Sequence, residues 1–180
     1  MKKMMTLITA VVFTMIAFAA TEKVDGYTWS YRLNGNSAEI YTDDFSKAAV
    51  SPKPTGALTI PSSLGGKTVT SIGNYAFRDC SGITNVIIPD GVTEIKSAAF
   101  SGCTGLTGVE IPDSVISFGF NAFASCSGLI AFVVGENNPA YCSVDGLILS
   151  KDGSYLVEVP ENRTNVTIPN SVTCIGVKAL

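Results

Sequence analysis

The phrase Ala-Phe-x-x-Cys occurs three times, as Ala76-Phe77-Arg78-Asp79-Cys80, Ala99-Phe100-Ser101-Gly102-Cys103 and Ala122-Phe123-Ala124-Ser125-Cys126, and both its phenylalanine and its cysteine return every 23 residues. A second phrase runs between the copies, Val86-Ile87-Ile88-Pro89-Asp90-Gly91-Val92 and then Val109-Glu110-Ile111-Pro112-Asp113-Ser114-Val115. A unit that short cannot bury its own apolar face, so a fixed period of this size implies stacked copies that share one core. Within a unit, Val109 and Ile111 face one way and Glu110 the other, the alternation of a half-buried strand. Proline then ends the strand because it has no N–H for a ladder. Val92-Thr93-Glu94-Ile95 returns toward the core, and Ser97-Ala98-Ala99-Phe100 is small and apolar enough to predict a helical turn that aims Phe100 inward. Each unit should add one rung of about 4.8 Å to a parallel sheet.

Aligned on the proline, one unit reads Leu-x-x-Val-x-Ile-Pro-x-x-Val-x-x-Ile-x-x-x-Ala-Phe-x-x-Cys-x-Gly, and Leu106 to Gly128 follows it with Phe118 in the second Ile slot. Over roughly residues 55–180 the chain resembles the bacterial surface leucine-rich repeats of the BspA type, which have the same Ile-Pro, Ile-Gly and Ala-Phe-x-x-Cys landmarks. The resemblance implies a β-rich solenoid of the α/β leucine-rich repeat type, with short parallel strands. It also implies a secreted or cell-surface protein of adhesion type, binding host matrix proteins, other cell-surface proteins or glycans. The other reading is a structural spacer or display stalk within a larger surface protein.

Departures from the pattern are local. The first unit has Leu58-Thr59-Ile60-Pro61 but inserts Ser63-Leu64-Gly65-Gly66-Lys67 before Val69, a bulge that leaves the rung intact. After Leu129, Phe132-Val133-Val134-Gly135 keeps the strand and loses the proline. From Phe123 to the next equivalent slot, Leu180, is 57 residues, or two periods of 23 with 11 to spare. The surplus is assigned to a hairpin near residues 144–159 turning at Lys151-Asp152-Gly153. The resemblance covers this hairpin too.

Both ends carry signals of their own. Lys2 and Lys3 precede an apolar run closed by Ala17-Phe18-Ala19, which predicts a secretory signal over residues 1–19 cut after Ala19. The run is too short for a membrane span, so no membrane insertion is expected after cleavage. Residues 20–54 are read as an N-terminal hairpin cap and loop. Tyr27, Trp29 and Tyr31 form its apolar face and Asn34-Gly35 a type I′ turn, covering the open end of residues 55–180. The chain halts at Leu180 in the phenylalanine slot, so the last unit reads as incomplete.

Composition narrows the function. There is no histidine, which removes Ser-His-Asp and Cys-His triads and HExxH zinc sites, and no phosphate-binding loop is present. A non-enzyme without cofactor or metal is expected. Without Lys2 and Lys3 the balance is 10 basic against 15 acidic residues, which disfavours nucleic acid and anionic membranes as partners. A monomer is expected. Cys80, Cys103 and Cys126 are read as a buried ladder of reduced thiols, because pairing two of three in-register positions would strand the third. Cys174 is expected to be exposed. Asn162-Arg163-Thr164 and Asn165-Val166-Thr167 are glycosylation sequons.

Residues flanking the inward valine of each strand must point outward, giving two columns across the sheet. One holds Ala57, Asn85, Gly108, Ala131 and Asn165 and is nearly featureless. The other holds Thr59, Ile87, Glu110, Val133 and Thr167. Its exposed apolar pair around a charge makes it the candidate binding face.

Overall fold

The computed structural model describes residues 19–177 and 179; the expected signal segment up to Phe18 and the Leu180 slot lie outside the described residues. Among these the chain is built of short strands and turns, with no helix. Two sheets with parallel cores grow side by side. The first takes one strand from each Leu-x-x-Val-x-Ile phrase. The second takes the short return strands and begins with strands from the N-terminal segment.

The N-terminal strands are β1 (Ala20–Val24), β2 (Tyr27–Asn34), β3 (Ser37–Ile40) and the two-residue β4 (Val50–Ser51). β1 and β3 pair antiparallel with β2, and β4 pairs with its far half. Asp25 and Gly26 both have positive φ, the requirement of a type I′ turn, so β1 is an extra strand that the sequence reading missed. The next turn differs from expectation. Asn34 pairs with Ser37, so Gly35 and Asn36 are the turn residues, and only Gly35 has positive φ, the pattern of type II′. Trp29 and Tyr31 are buried, whereas Tyr27 is half-buried at the margin of the core.

The cap does more than cover an end. β3 runs parallel to β7 (Lys67–Ile72), which pairs with β9 (Glu94–Ile95) and then β11 (Ser117–Phe118), so the cap supplies the first rung of the second sheet. Glu39 on β3 is 4% exposed and takes hydrogen bonds from Arg32 Nε at 3.1 Å, Arg32 Nη2 at 2.9 Å and Lys96 Nζ at 3.0 Å. Two cations thus stabilise a carboxylate that would be costly to bury alone. A side chain at Gly73 would strike both this carboxylate and the Ile40 carbonyl, which accounts for glycine after Ile72. The expected bulge at residues 63–67 is a small hairpin: β6 (Ser63–Leu64) pairs antiparallel with β7 around Gly65 and Gly66, both at positive φ.

The other sheet contains β5 (Gly56–Thr59), β8 (Ile83–Ile87), β10 (Gly108–Ile111) and β12 (Ala131–Val134), all parallel and in that order. Its inward residues Leu58, Val86, Val109 and Phe132 are buried. Residues 23 apart meet repeatedly: Thr93 and Thr107 hydroxyls donate to the carbonyls of Thr70 and Thr84.

The Ala-Phe-x-x-Cys segments form the third column, as stacked turns rather than the predicted helical turns. Ala99, Ser101 and Cys103 N–H groups bond three residues back, to Lys96, Ala98 and Phe100. The alternating Ala98, Phe100 and Gly102 N–H groups bond across to the next turn, at Phe120, Ala122 and Ala124. A helix would spend every N–H within its own segment, and the sideways bonds are available only if Ala98 and Gly102 take left-handed conformations. Phe77 stacks on Phe100 at 4.9 Å and Phe100 on Phe123 at 5.2 Å, the separations of adjacent rungs. Trp29 meets Phe77 edge-on at one end of this column and Phe132 meets Phe123 edge-on at the other.

The expected hairpin near residues 144–159 is a three-stranded meander: β13 (Tyr141–Val144), β14 (Leu147–Ser150) and β15 (Tyr155–Glu158), with β16 (Cys174–Ile175) parallel to β15. Asp145 and Gly146, both at positive φ, make the unforeseen first turn. Asn138 ties the meander to the coil before it. Fully buried, it donates from Nδ2 to Pro112 and Val115 carbonyls at 3.0 and 2.8 Å and accepts at Oδ1 from the N–H groups of Ala140 and Tyr141 at 2.9 and 2.8 Å.

Candidate functional site: the outer face of the parallel sheet

The strand register fixes the outer face of the four-stranded sheet. Thr59 pairs with Ile87 and Glu110 with Val133, while Asn85 pairs with Ala57 and Gly108, and Gly108 with Ala131. Thr59, Ile87, Glu110 and Val133 therefore form one continuous exposed column across β5, β8, β10 and β12. Ile87 and Val133 are 53% and 57% exposed, and neither the meander nor a described loop covers them. Thr167 does not join the column. It and Asn165 lie outside any strand, because the meander occupies the edge of β12: the Phe132 N–H bonds to the Gly146 carbonyl and the Val134 N–H to Ser143 Oγ at 3.0 Å.

A hollow of about 400 Å³ lies on this column, lined by Ile87, Asp90, Glu110, Pro112, Asp113 and Val133. Asp90 and Asp113 are additions to the sequence-predicted set. They follow the strand-ending proline in the Ile-Pro-Asp phrase, where the chain turns away from the sheet and leaves the carboxylates beside the outward column. The Ile-Pro-Asp phrase therefore also places an acid at the two central rungs, β8 and β10. Gly135 stands where the previous unit has Pro112. It leaves room that a side chain would take from the Asp113 carboxylate, and its N–H bonds to the Ile111 carbonyl at 2.9 Å. Loss of the proline in this unit thus keeps a ladder bond that proline could not make.

The thiols are structural. Cys80, Cys103 and Cys126 are free and buried, and Cys103 and Cys126 point their Sγ at the carbonyls of Phe77 and Phe100 one turn back, each at 3.2 Å. Burial pushes the Cys80 thiol up to about 11 and Cys126 to about 12, and raises Cys103 as well, so none is a thiolate at neutral pH. Cys142 is partly exposed, donating to the Ser150 carbonyl at 3.3 Å, and Cys174 is exposed. No group of three acidic or thiol side chains among the described residues converges to hold a metal ion.

Residues 56–142 match the BspA-type leucine-rich repeat region in six copies. Among solved structures, a leucine-rich cell-surface protein from Faecalibacterium prausnitzii is 32% identical, with a TM-score of 0.54, over 66% of this chain and 30% of its own length. A leucine-rich repeat protein of T. pallidum is 27% identical, with a TM-score of 0.53, over 82% of this chain and 61% of that one. One from Bacteroides capillosus is 28% identical over 65% of this chain and 83% of that one, with a TM-score of 0.52. The chain thus spans about a third of the length of the Faecalibacterium protein. No curated protein matches.

Proposed function

Residues 56–142 of this chain belong to the BspA-type leucine-rich repeat family, and on that premise we propose that the chain is a 23-residue-repeat solenoid acting as a non-catalytic recognition module at the bacterial surface or in the medium. Export rests on the Lys-Lys, apolar, Ala-Phe-Ala order of residues 1–19 and on the surface location named for the Faecalibacterium relative. The observation that carries the binding role is the uncovered column of Ile87, Glu110 and Val133. A spacer gains nothing from holding two large apolar side chains more than half exposed on a flat sheet, whereas a recognition face needs them to exclude water from the contact.

The test is a binding screen of the purified protein against immobilised matrix proteins, cell-surface proteins and glycans, repeated with Ile87, Glu110 and Val133 all changed to Ser. The reading predicts at least one ligand whose affinity falls tenfold or more in the triple variant at an unchanged melting temperature. Undiminished binding by the triple variant moves the site off this face.

A further inference from the structure

We propose that the outer-face groove takes an extended polypeptide segment in which Lys or Arg side chains flank apolar ones. The inference rests on the binding reading above and assigns the chemistry of the partner. The hollow over Ile87, Glu110 and Val133 does not stop at β8. A second hollow, of about 540 Å³, continues it across Thr59, Pro61 and Pro89 to Glu22 and Asp25 of the β1–β2 hairpin, and Ile87 lines both. Every ionisable residue lining the two is acidic: Glu22, Asp25, Asp90, Glu110 and Asp113. Glu22 accepts the Gly65 N–H at 2.6 Å, but the carboxylates of Asp25, Asp90, Glu110 and Asp113 take no hydrogen bond or ion pair among the described residues.

Among the described residues every cation except Lys23, which lines neither hollow, is engaged elsewhere. Arg32 and Lys96 hold Glu39, Lys47 holds Asp44, and Arg163 holds Asp145. Lys53 donates to the Asp79 carbonyl, Lys67 to Asn36 and Lys151 to the Glu136 carbonyl. The groove therefore keeps unneutralised carboxylates both beside and between two exposed aliphatic side chains, with Glu110 between Ile87 and Val133. Its complement alternates positive and apolar groups.

Its shape selects among cations. No three carboxylates converge on a metal ion. The lining has no aromatic ring on which a sugar could stack. Four strands at about 4.8 Å spacing give a floor about 14 Å long, which matches four or five residues of extended chain at about 3.3 Å each. The apolar side chains of such a segment pack against Ile87 and Val133, two strands or about 9.6 Å apart, and its cationic side chains reach Glu110 between them and Asp90 and Asp113 beside them.

Fluorescence anisotropy with a labelled Lys-Leu-Lys-Leu-Lys peptide tests this, with Glu-Leu-Glu-Leu-Glu and pentalysine as comparison probes. The Lys-Leu peptide should bind more tightly than pentalysine, and the Glu-Leu peptide should not bind. Asp90→Asn, Glu110→Gln and Asp113→Asn together should weaken the Lys-Leu peptide at least tenfold and flatten its salt dependence. Asp43→Asn, outside the groove, should change nothing. Ile87→Ser with Val133→Ser should erase the preference over pentalysine, with circular dichroism unchanged. Equal affinity in the neutralised variant, or equal affinity for pentalysine, overturns the assignment. Failure to bind the Lys-Leu peptide while a screened ligand still depends on Ile87 and Val133 overturns the cationic chemistry alone. A screened ligand indifferent to both residues overturns the binding face beneath it.

Discussion

Phe100→Ala reads out the stacking of the coils. Phe100 is fully buried, with Phe77 at 4.9 Å and 8° on one side and Phe123 at 5.2 Å and 1° on the other. Truncation removes the ring from water-free surroundings and leaves a cavity between the rings of Phe77 and Phe123, which the sideways hydrogen bonds of the Phe77 and Phe100 N–H groups hold two rungs apart. Collapse into the gap would break those bonds, so the site relaxes little. The cost belongs at the upper part of the usual range for buried phenylalanine, about 4 kcal/mol of about 3 to 5, including the two ring pairs at roughly 0.5 to 1.5 kcal/mol each. With a urea slope of about 2 kcal/mol per molar the midpoint should fall by about 2 M. The single tryptophan, Trp29, touches Phe77 edge-on and reports the transition by fluorescence alongside circular dichroism. Ser101→Ala, next in the chain but with no side-chain hydrogen bond, should cost less than about 0.5 kcal/mol. Equal and small shifts for the two variants would refute the register of the turns.

Other consequences follow from the buried polar and titrating groups. A thiol reagent should modify Cys174 first and Cys142 next, with Cys80, Cys103 and Cys126 reacting only on unfolding; mass spectrometry showing a Cys80 to Cys103 bridge would contradict the ladder. Asn138→Ala leaves the buried Val115 carbonyl, the half-buried Pro112 carbonyl and two N–H groups without their partner and should cost more than about 2 kcal/mol by denaturant titration. Burial raises the Glu158 carboxyl from 4.5 to about 7. The folded state then binds more protons than the unfolded one across that interval, and stability should fall as pH rises from about 4.5 to about 7. Glu158→Gln should flatten this slope, whereas an unchanged profile would place the titration elsewhere.

The repeat phrases foretold most of the inner architecture because period-two burial and a strand-ending proline act within a few residues. Val109, Ile111 and Phe100 therefore fell where their spacing put them. Features that depend on a neighbouring coil were hidden. Ser97-Ala98-Ala99-Phe100 looks helical in isolation, and only the adjacent turn's carbonyls make the left-handed Ala98 worthwhile. Asp25-Gly26 and Asp145-Gly146 are ordinary hairpin signals, and each turn adds a strand, β1 and β13, that the periodicity of the repeats does not reveal. Thr167 was placed by counting periods, which fails once a meander takes the sheet edge. Asp90 and Asp113 belong to the repeat phrase, yet their place in the groove depends on how the chain leaves the sheet after proline.

Carboxylate footprinting tests the central claim most directly. Carbodiimide-driven amine labelling of the purified protein, with and without the Lys-Leu-Lys-Leu-Lys peptide, reports each acid separately by mass spectrometry. The account predicts slower labelling of Asp90, Glu110 and Asp113 in the presence of peptide, at unchanged rates for Asp43 and Asp152. Unchanged labelling at the three groove acids would contradict it.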